Sequence, residues 1–251
     1  MQIEPFAVEQ WMNAYEDHCQ FNLAETCVES LTVEALLDLA GVGRAALDDI
    51  LAMKLTYGAI VGSERLRTAI AALYDDVAIE NVLVTHGAIG ANKLVHETLV
   101  EPNDRVISVQ PTYQQHYSIP ASYGADVQVL TLREADGYQP DLDQMRSLAT
   151  AETSLIAINN PNNPTGALMD AATLTEIGHI AASCNAHVLC DEVYRGTDQV
   201  GSGSSASIVE VYDRGISTGS MSKAFSLAGL RLGWMVAPAD VIKAAELHRD
   251  Y

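Results

Sequence analysis

Basic side chains are scarce in this sequence: 14 lysines and arginines stand against 33 aspartates and glutamates, a net charge of −19. A surface with that field repels phosphate backbones and anionic bilayers, so neither nucleic acid nor a membrane is an expected partner. A small anionic cofactor remains admissible, because a helix N-terminus and a few local donors hold one phosphate inside an acidic protein. Long apolar runs are missing too, with nothing near the roughly 18 uninterrupted residues of a membrane span. The start, Met1-Gln2-Ile3-Glu4-Pro5, has no basic region followed by an apolar one, which points to a soluble cytoplasmic protein. Cysteine is sparse and unpaired in pattern: Cys19, Cys27, Cys184 and Cys190 form no CxxC motif. Free thiols are expected, with Cys184 and Cys190 packing a helix against a strand. There is no internal repeat, no metal site is expected, and Gly201-Ser202-Gly203-Ser204-Ser205 reads as a flexible surface loop.

What is present is ample apolar material, 48% of 251 residues, enough for a sizeable buried core. From about residue 80 short β-rich runs alternate with longer helical patterns, the rhythm of strands joined by helical crossovers. The runs are 81–84, 105–109, 127–130, 155–158, 187–190, 215–218 and 233–236. Between Asp170 and Cys184, Leu174, Ile177, Ile180 and Ala181 recur at helical spacing. The expected class is α/β with a mostly parallel sheet. The first 75 residues differ: helical segments at Val8 to His18, Thr32 to Leu39 and Ser63 to Tyr74 read as an arm and flank.

Ligands of open α/β sheets sit beyond the carboxyl ends of the strands, and four such places carry chemistry. After Val84 comes Thr85-His86-Gly87-Ala88-Ile89-Gly90, a glycine-bearing turn that either cradles an anion or is a tight connection. After Ile158 comes Asn159-Asn160-Pro161-Asn162-Asn163-Pro164-Thr165-Gly166, a rigid amide-rich turn. After Cys190, Asp191-Glu192-Val193-Tyr194 offers a carboxylate for a protonated ring nitrogen and a tyrosine for an oxygen of the same ring; Asp191 alternatively caps the turn. Last, Ser220-Met221-Ser222-Lys223 is followed by Gly229-Leu230-Arg231-Leu232-Gly233-Trp234, an amine for a Schiff base with donors for a phosphate. The charge-poor flank of Lys223 predicts partial burial and, from it, a lowered amine pKa.

Taken in order, these motifs resemble the fold-type I pyridoxal-phosphate enzymes of the class I/II aminotransferase branch, from about Leu55 to the last residue. The resemblance implies a three-layer α/β/α large domain over 55–251 with a seven-stranded, mostly parallel sheet of the aspartate-aminotransferase kind. Residues 1–54 would be an arm and part of the substrate flank. It implies a Lys223 aldimine and proton shuttle, Asp191 at the pyridine nitrogen, and Tyr194 and Asn163 at the phenolic oxygen. Phosphate contacts fall to Gly87, Ala88, Ile89, Ser220, Ser222 and Arg231. Tyr113 would stack on the ring, and Tyr57 would reach the phosphate of a neighbouring subunit, making a homodimer with shared active sites. Asn22-Leu23-Ala24-Glu25-Thr26 lies where the family's arm closes over substrate; Glu25 there is either a selector of cationic groups or an ordinary surface glutamate. Family members continue into a smaller C-terminal domain that supplies an arginine for the substrate carboxylate, and no counterpart of either is expected here. The implied reaction is amino-group transfer from an amino acid to a 2-oxo acid. Its rivals are carbon-sulfur β-lyase or capreomycidine-synthase-like chemistry, or a truncated non-catalytic fragment.

Overall fold

The computed structural model describes residues 2–43, 45–199 and 204–249, so the glycine-serine stretch at 201–203 lies outside the described residues. Seven strands form one sheet: β1 (Val82–His86), β2 (Arg105–Gln110), β3 (Asp126–Thr131), β4 (Thr153–Asn159), β5 (His187–Asp191), β6 (Gly215–Ser220) and β7 (Leu232–Val236). Each expected run falls on a strand, save that Asn81 ends a short 3-10 turn and β1 begins at Val82. Most extend a residue or two further, so that His86, Asn159, Asp191 and Ser220 are the last residues of their strands.

The sheet order is β1-β7-β6-β5-β4-β2-β3. Only β7 runs against its neighbours; the pairs β2–β3, β2–β4, β4–β5 and β5–β6 are parallel. Strands β1 to β6 therefore all point the same way, and their carboxyl ends share one edge with the start of β7.

The helices are α1 (Ala7–Tyr15), α2 (Val33–Leu39), α3 (Ala45–Ala52), α4 (Glu64–Ala71), α5 (Gly87–Leu99), α6 (Gln115–Ser122), α7 (Leu142–Leu148), α8 (Ala171–Ser183) and α9 (Ala239–Arg249). Side-chain caps set several starts: Thr32, Ser63, Asp141 and Asp170 each accept a backbone N–H from the first turn they precede. The sequence reading did not foresee α3, a short helix with no buried residue to give it an apolar stripe.

Adjacent strand residues bury on opposite faces, as the two-residue period requires. Ile107, Ile156, Val188 and Cys190 pack with Leu174, Ile177 and Ile180 of α8, whereas Val106, Leu155 and Leu189 pack with Leu94 and Val95 of α5 and Val241 of α9. This double burial makes the three layers and explains the near-continuous apolar strands. Cys184 packs against the first cluster, and all four cysteines are free. Among the described residues, no helix is long and apolar enough to cross a membrane.

Candidate active site

Register brings the polar strand ends side by side. Asn159 of β4 pairs with Asp191 of β5, and Asp191 with Thr218 of β6. Asp191 is 3% exposed, which obliges it to find partners. One carboxylate oxygen accepts from Asn92 Nδ2 at 2.7 Å and lies 3.4 Å from His116 Nε2; the other accepts the Val193 backbone N–H at 3.1 Å. The turn-capping role and the buried carboxylate thus coexist in one side chain. Asn92 is itself held by Thr218, whose hydroxyl donates to Asn92 Oδ1 at 2.6 Å.

The amide-rich turn after β4 is pinned by its own side chains. The Asn163 N–H donates to Asn159 Oδ1 at 2.6 Å, and the Asn159 amide donates to the Asp191 carbonyl at 2.8 Å. This presents Asn163 Nδ2 to the Tyr194 hydroxyl at 3.4 Å, and Tyr194 also bonds Thr26 Oγ1 at 2.8 Å. Burial raises the Tyr194 pKa against the opposing hydrogen bond from Thr26 and the charge of Lys223.

Lys223 follows β6 by three residues, with its side chain 23% exposed. Its Nζ donates to Cys27 Sγ at 3.0 Å and lies 3.6 Å from Glu25 Oε1. The expected lowering of its pKa is overturned. Burial does pull the amine down, but the hydrogen bond to Cys27 and the neighbouring Tyr194 and Glu25 outweigh it and leave the amine raised. Glu25 answers in kind: hydrogen bonds from Cys27 hold its carboxyl down at about 2. Its Oε1 accepts the Thr26 and Cys27 N–H groups at 3.0 and 2.9 Å. The arm residues Glu25, Thr26 and Cys27 therefore close over the amine.

At the other end of this edge, β1 passes directly into α5. Gly87 has φ +71°, and a Cβ there would sit 2.8 Å from a guanidinium nitrogen of Arg231. Arg231 is itself left-handed, φ +50°, and donates to the Ala228 carbonyl at 2.9 Å. The Arg231 guanidinium thus lies at the first turn of α5, which carries Ala88 and Ile89. Ser220 is 3% exposed and its hydroxyl accepts the Ser222 N–H at 3.2 Å. Tyr113 is half-buried, its ring 4.8 Å from that of Phe6 and its hydroxyl donating to Glu9 at 3.0 Å; burial raises its pKa, with Glu9, Asp191 and Tyr194 adding to the effect. Tyr57 stands apart, 100% exposed.

The sequence reading missed Asn92, His116, Thr218 and Cys27. Asn92 breaks the buried face of α5 between Ala91 and Leu94, and a buried amide on an apolar face was the available signal. Glu192, next to Asp191, points elsewhere: fully buried, it accepts from Ser207, Ser217 and the Ile208 N–H, and burial pushes its pKa up to about 7.

The family described as aminotransferase class I and II matches residues 36–249. The chain is 33% identical over 247 residues to capreomycidine synthase of Streptomyces vinaceus, covering 97% of this chain and 62% of that protein. It is 34% identical over 194 residues to an aspartate aminotransferase of Pyrococcus horikoshii, covering 72% of this chain and 48% of that protein. The crystal structure of a PLP-dependent aminotransferase from Streptococcus suis superposes with a TM-score of 0.95 at 42% identity, over 100% of this chain and 67% of that one. The chain thus spans roughly half to two thirds of the length of these relatives.

Proposed function

The chain belongs to the class I and II aminotransferase family, and from that premise we propose that it holds pyridoxal 5'-phosphate on Lys223 and moves the amino group of an amino acid to a 2-oxo acid. When bound, the cofactor supplies an electron sink for the charge left after loss of the substrate α-proton. The residues fit such a group. The missing Cβ of Gly87 leaves the space in which the Arg231 guanidinium lies at the N-terminus of α5, so a phosphate would meet a cation and the Ala88 and Ile89 turn together. Ser220 and Ser222 add hydroxyls on the same edge. Asp191, held by the Asn92 amide with His116 Nε2 3.4 Å away, would be the carboxylate for a protonated ring nitrogen.

Tyr194 and Asn163 would donate to the phenolic oxygen, and Tyr113 would offer a ring face. Lys223 Nζ tethers the cofactor and, once free, carries the α-proton. The arm covers one side of that amine, with Cys27 and Glu25 within 4 Å of it. The observation that carries this reading is Tyr194: hydrogen-bonded to Asn163 and the arm, it feels the charges of both Lys223 and Asp191. Residues 55–251 would be the cofactor-binding unit and 1–54 the arm. Exposed Leu55, Tyr57 and Ile60 support a homodimer in which Tyr57 reaches the partner's phosphate.

An absorbance spectrum tests the assignment. Protein mixed with pyridoxal phosphate should gain a visible band that borohydride removes, and Lys223→Ala should not form it. A band retained by that variant would overturn the role of Lys223. A second reading, γ-carbon or β-elimination chemistry at the same site, is favoured by one observation. Similarity to capreomycidine synthase takes in 97% of the chain, against 72% for the aspartate aminotransferase. Product analysis with a panel of amino acids, with and without 2-oxoglutarate, separates these fates.

A further inference from the structure

The proposed function gives the arm a covering role but leaves one contact unused. Cys27 lies 196 positions from Lys223, yet its sulfur takes a hydrogen bond from Nζ at 3.0 Å. Glu25 lies beside the pair, the Lys223 and Glu25 side chains are partly exposed, and the half-buried thiol is free. We propose that Cys27 is an oxidative modification site at which a peroxide joins it to Lys223 through a sulfur–nitrogen bond. The inference rests on this geometry and stands whether or not the cofactor assignment holds.

The chemistry balances in two steps. Hydrogen peroxide is reduced as it transfers oxygen to the Cys27 sulfur, giving a sulfenic acid and one water. The Lys223 ammonium, held protonated by its neighbours, must first release one proton to solvent; its Nζ lone pair then attacks that sulfur, the S–O bond breaks, and the departing hydroxide takes a proton from the nitrogen as a second water. The product is a sulfenamide, two hydrogens lighter than the starting pair. Thiols reverse it: one attacks the sulfur and releases the amine, and a second frees Cys27 as a disulfide forms between the two.

Burial raises the Cys27 pKa against the opposing effect of Lys223, so the first step is slower than at an activated thiol. The second step is favoured by proximity, because the amine already touches the sulfur and needs no diffusion. Cys190 is 0% exposed in the core, and Cys184, partly buried against it, gives its thiol to backbone carbonyls of Ile180 and Ala181. Closure of the bond would remove the amine that the proposed function requires. Pyridoxal phosphate on Lys223 would in turn shield it.

Peptide mapping tests this directly. Tryptic cleavage leaves Cys19 and Cys27 together in the peptide 1–44 and normally cuts after Lys223. The full chain, with and without pyridoxal phosphate, is treated with hydrogen peroxide and digested. The expected product is peptide 1–44 joined to 215–231, uncut at Lys223, two hydrogens lighter than the sum of its parts and separated by dithiothreitol. Cys27→Ser should abolish it, and cofactor loading should suppress it. If the joined peptide forms equally with and without cofactor, the link stands and the tether on Lys223 falls. If Cys27 goes only to higher oxides or to a disulfide with Cys19 while trypsin still cuts at Lys223, the inference is wrong.

Discussion

Gly233 at the start of β7 lies against Gly87 at the start of α5 so closely that a Cβ on Gly233 would fall 2.2 Å from the Gly87 carbonyl carbon. Arg231, two residues before Gly233, returns its guanidinium to the same glycine. The antiparallel pairing of β1 with β7, with Thr85 opposite Gly233, creates this meeting of two backbones. The proposed phosphate cradle is therefore a junction between segments almost 150 residues apart in sequence, and contacts there and elsewhere in the domain have four consequences.

Gly233→Ala must push the α5 turn away from β7. Overpacking of this kind costs about 1–3 kcal/mol, and here it also displaces the turn that would hold the phosphate. A lowered melting temperature together with weaker pyridoxal phosphate affinity, read from the visible band, is expected. Unchanged affinity would place the phosphate elsewhere.

Asn92→Ala removes the 2.7 Å hydrogen bond to buried Asp191 and leaves the Thr218 hydroxyl without its acceptor. Bonds to charged groups contribute about 1.5–3 kcal/mol, so denaturant unfolding should show a loss of about that size. Thr218→Val, which spares Asp191, should cost less. Equal losses in the two variants would mean that the carboxylate gains nothing from Asn92.

Glu192 makes a pH prediction with a definite sign. Its folded pKa is raised to about 7 from 4.5, so the folded state holds the proton more tightly than the unfolded chain. Its contribution is fully present below the unfolded value and is lost as pH rises through about 7. Relative to wild type, Glu192→Gln should gain stability between pH 5 and pH 8, on the order of a few kcal/mol. Denaturation midpoints measured in parallel across that range check it, and a constant difference between the two proteins would refute it.

Glu25→Gln removes one of the charges that raise the Lys223 amine. The pH at which pyridoxal phosphate reacts with Lys223 should move down. No movement would leave Cys27 and Tyr194 as the neighbours that matter.

The strands in their chain order and the helices α1, α2, α4 and α8 were legible in the sequence because double burial makes β2, β4 and β5 largely apolar runs and because side-chain caps mark Thr32, Ser63 and Asp170. The residues proposed to hold the cofactor were legible for a similar reason: Asn163, Asp191, Tyr194, Lys223 and Arg231 sit where apolar runs stop, and polar side chains have few structural reasons to cluster there. The fold-type I resemblance then named roles that spacing alone left open.

Tertiary structure decided what no local pattern encodes. The position of β7 between β1 and β6 comes from long-range pairing, and it alone brings Arg231 onto Gly87. The partners of Asp191 come from α5 and α6, elements 99 and 75 residues earlier in the chain, because packing against a common sheet face turns Asn92 and His116 toward one buried charge. The sign of the Lys223 shift was decided in the same way. Composition foretold burial, but the arm brought Cys27 and Glu25 to the amine, and electrostatics at 3 to 4 Å prevailed over desolvation.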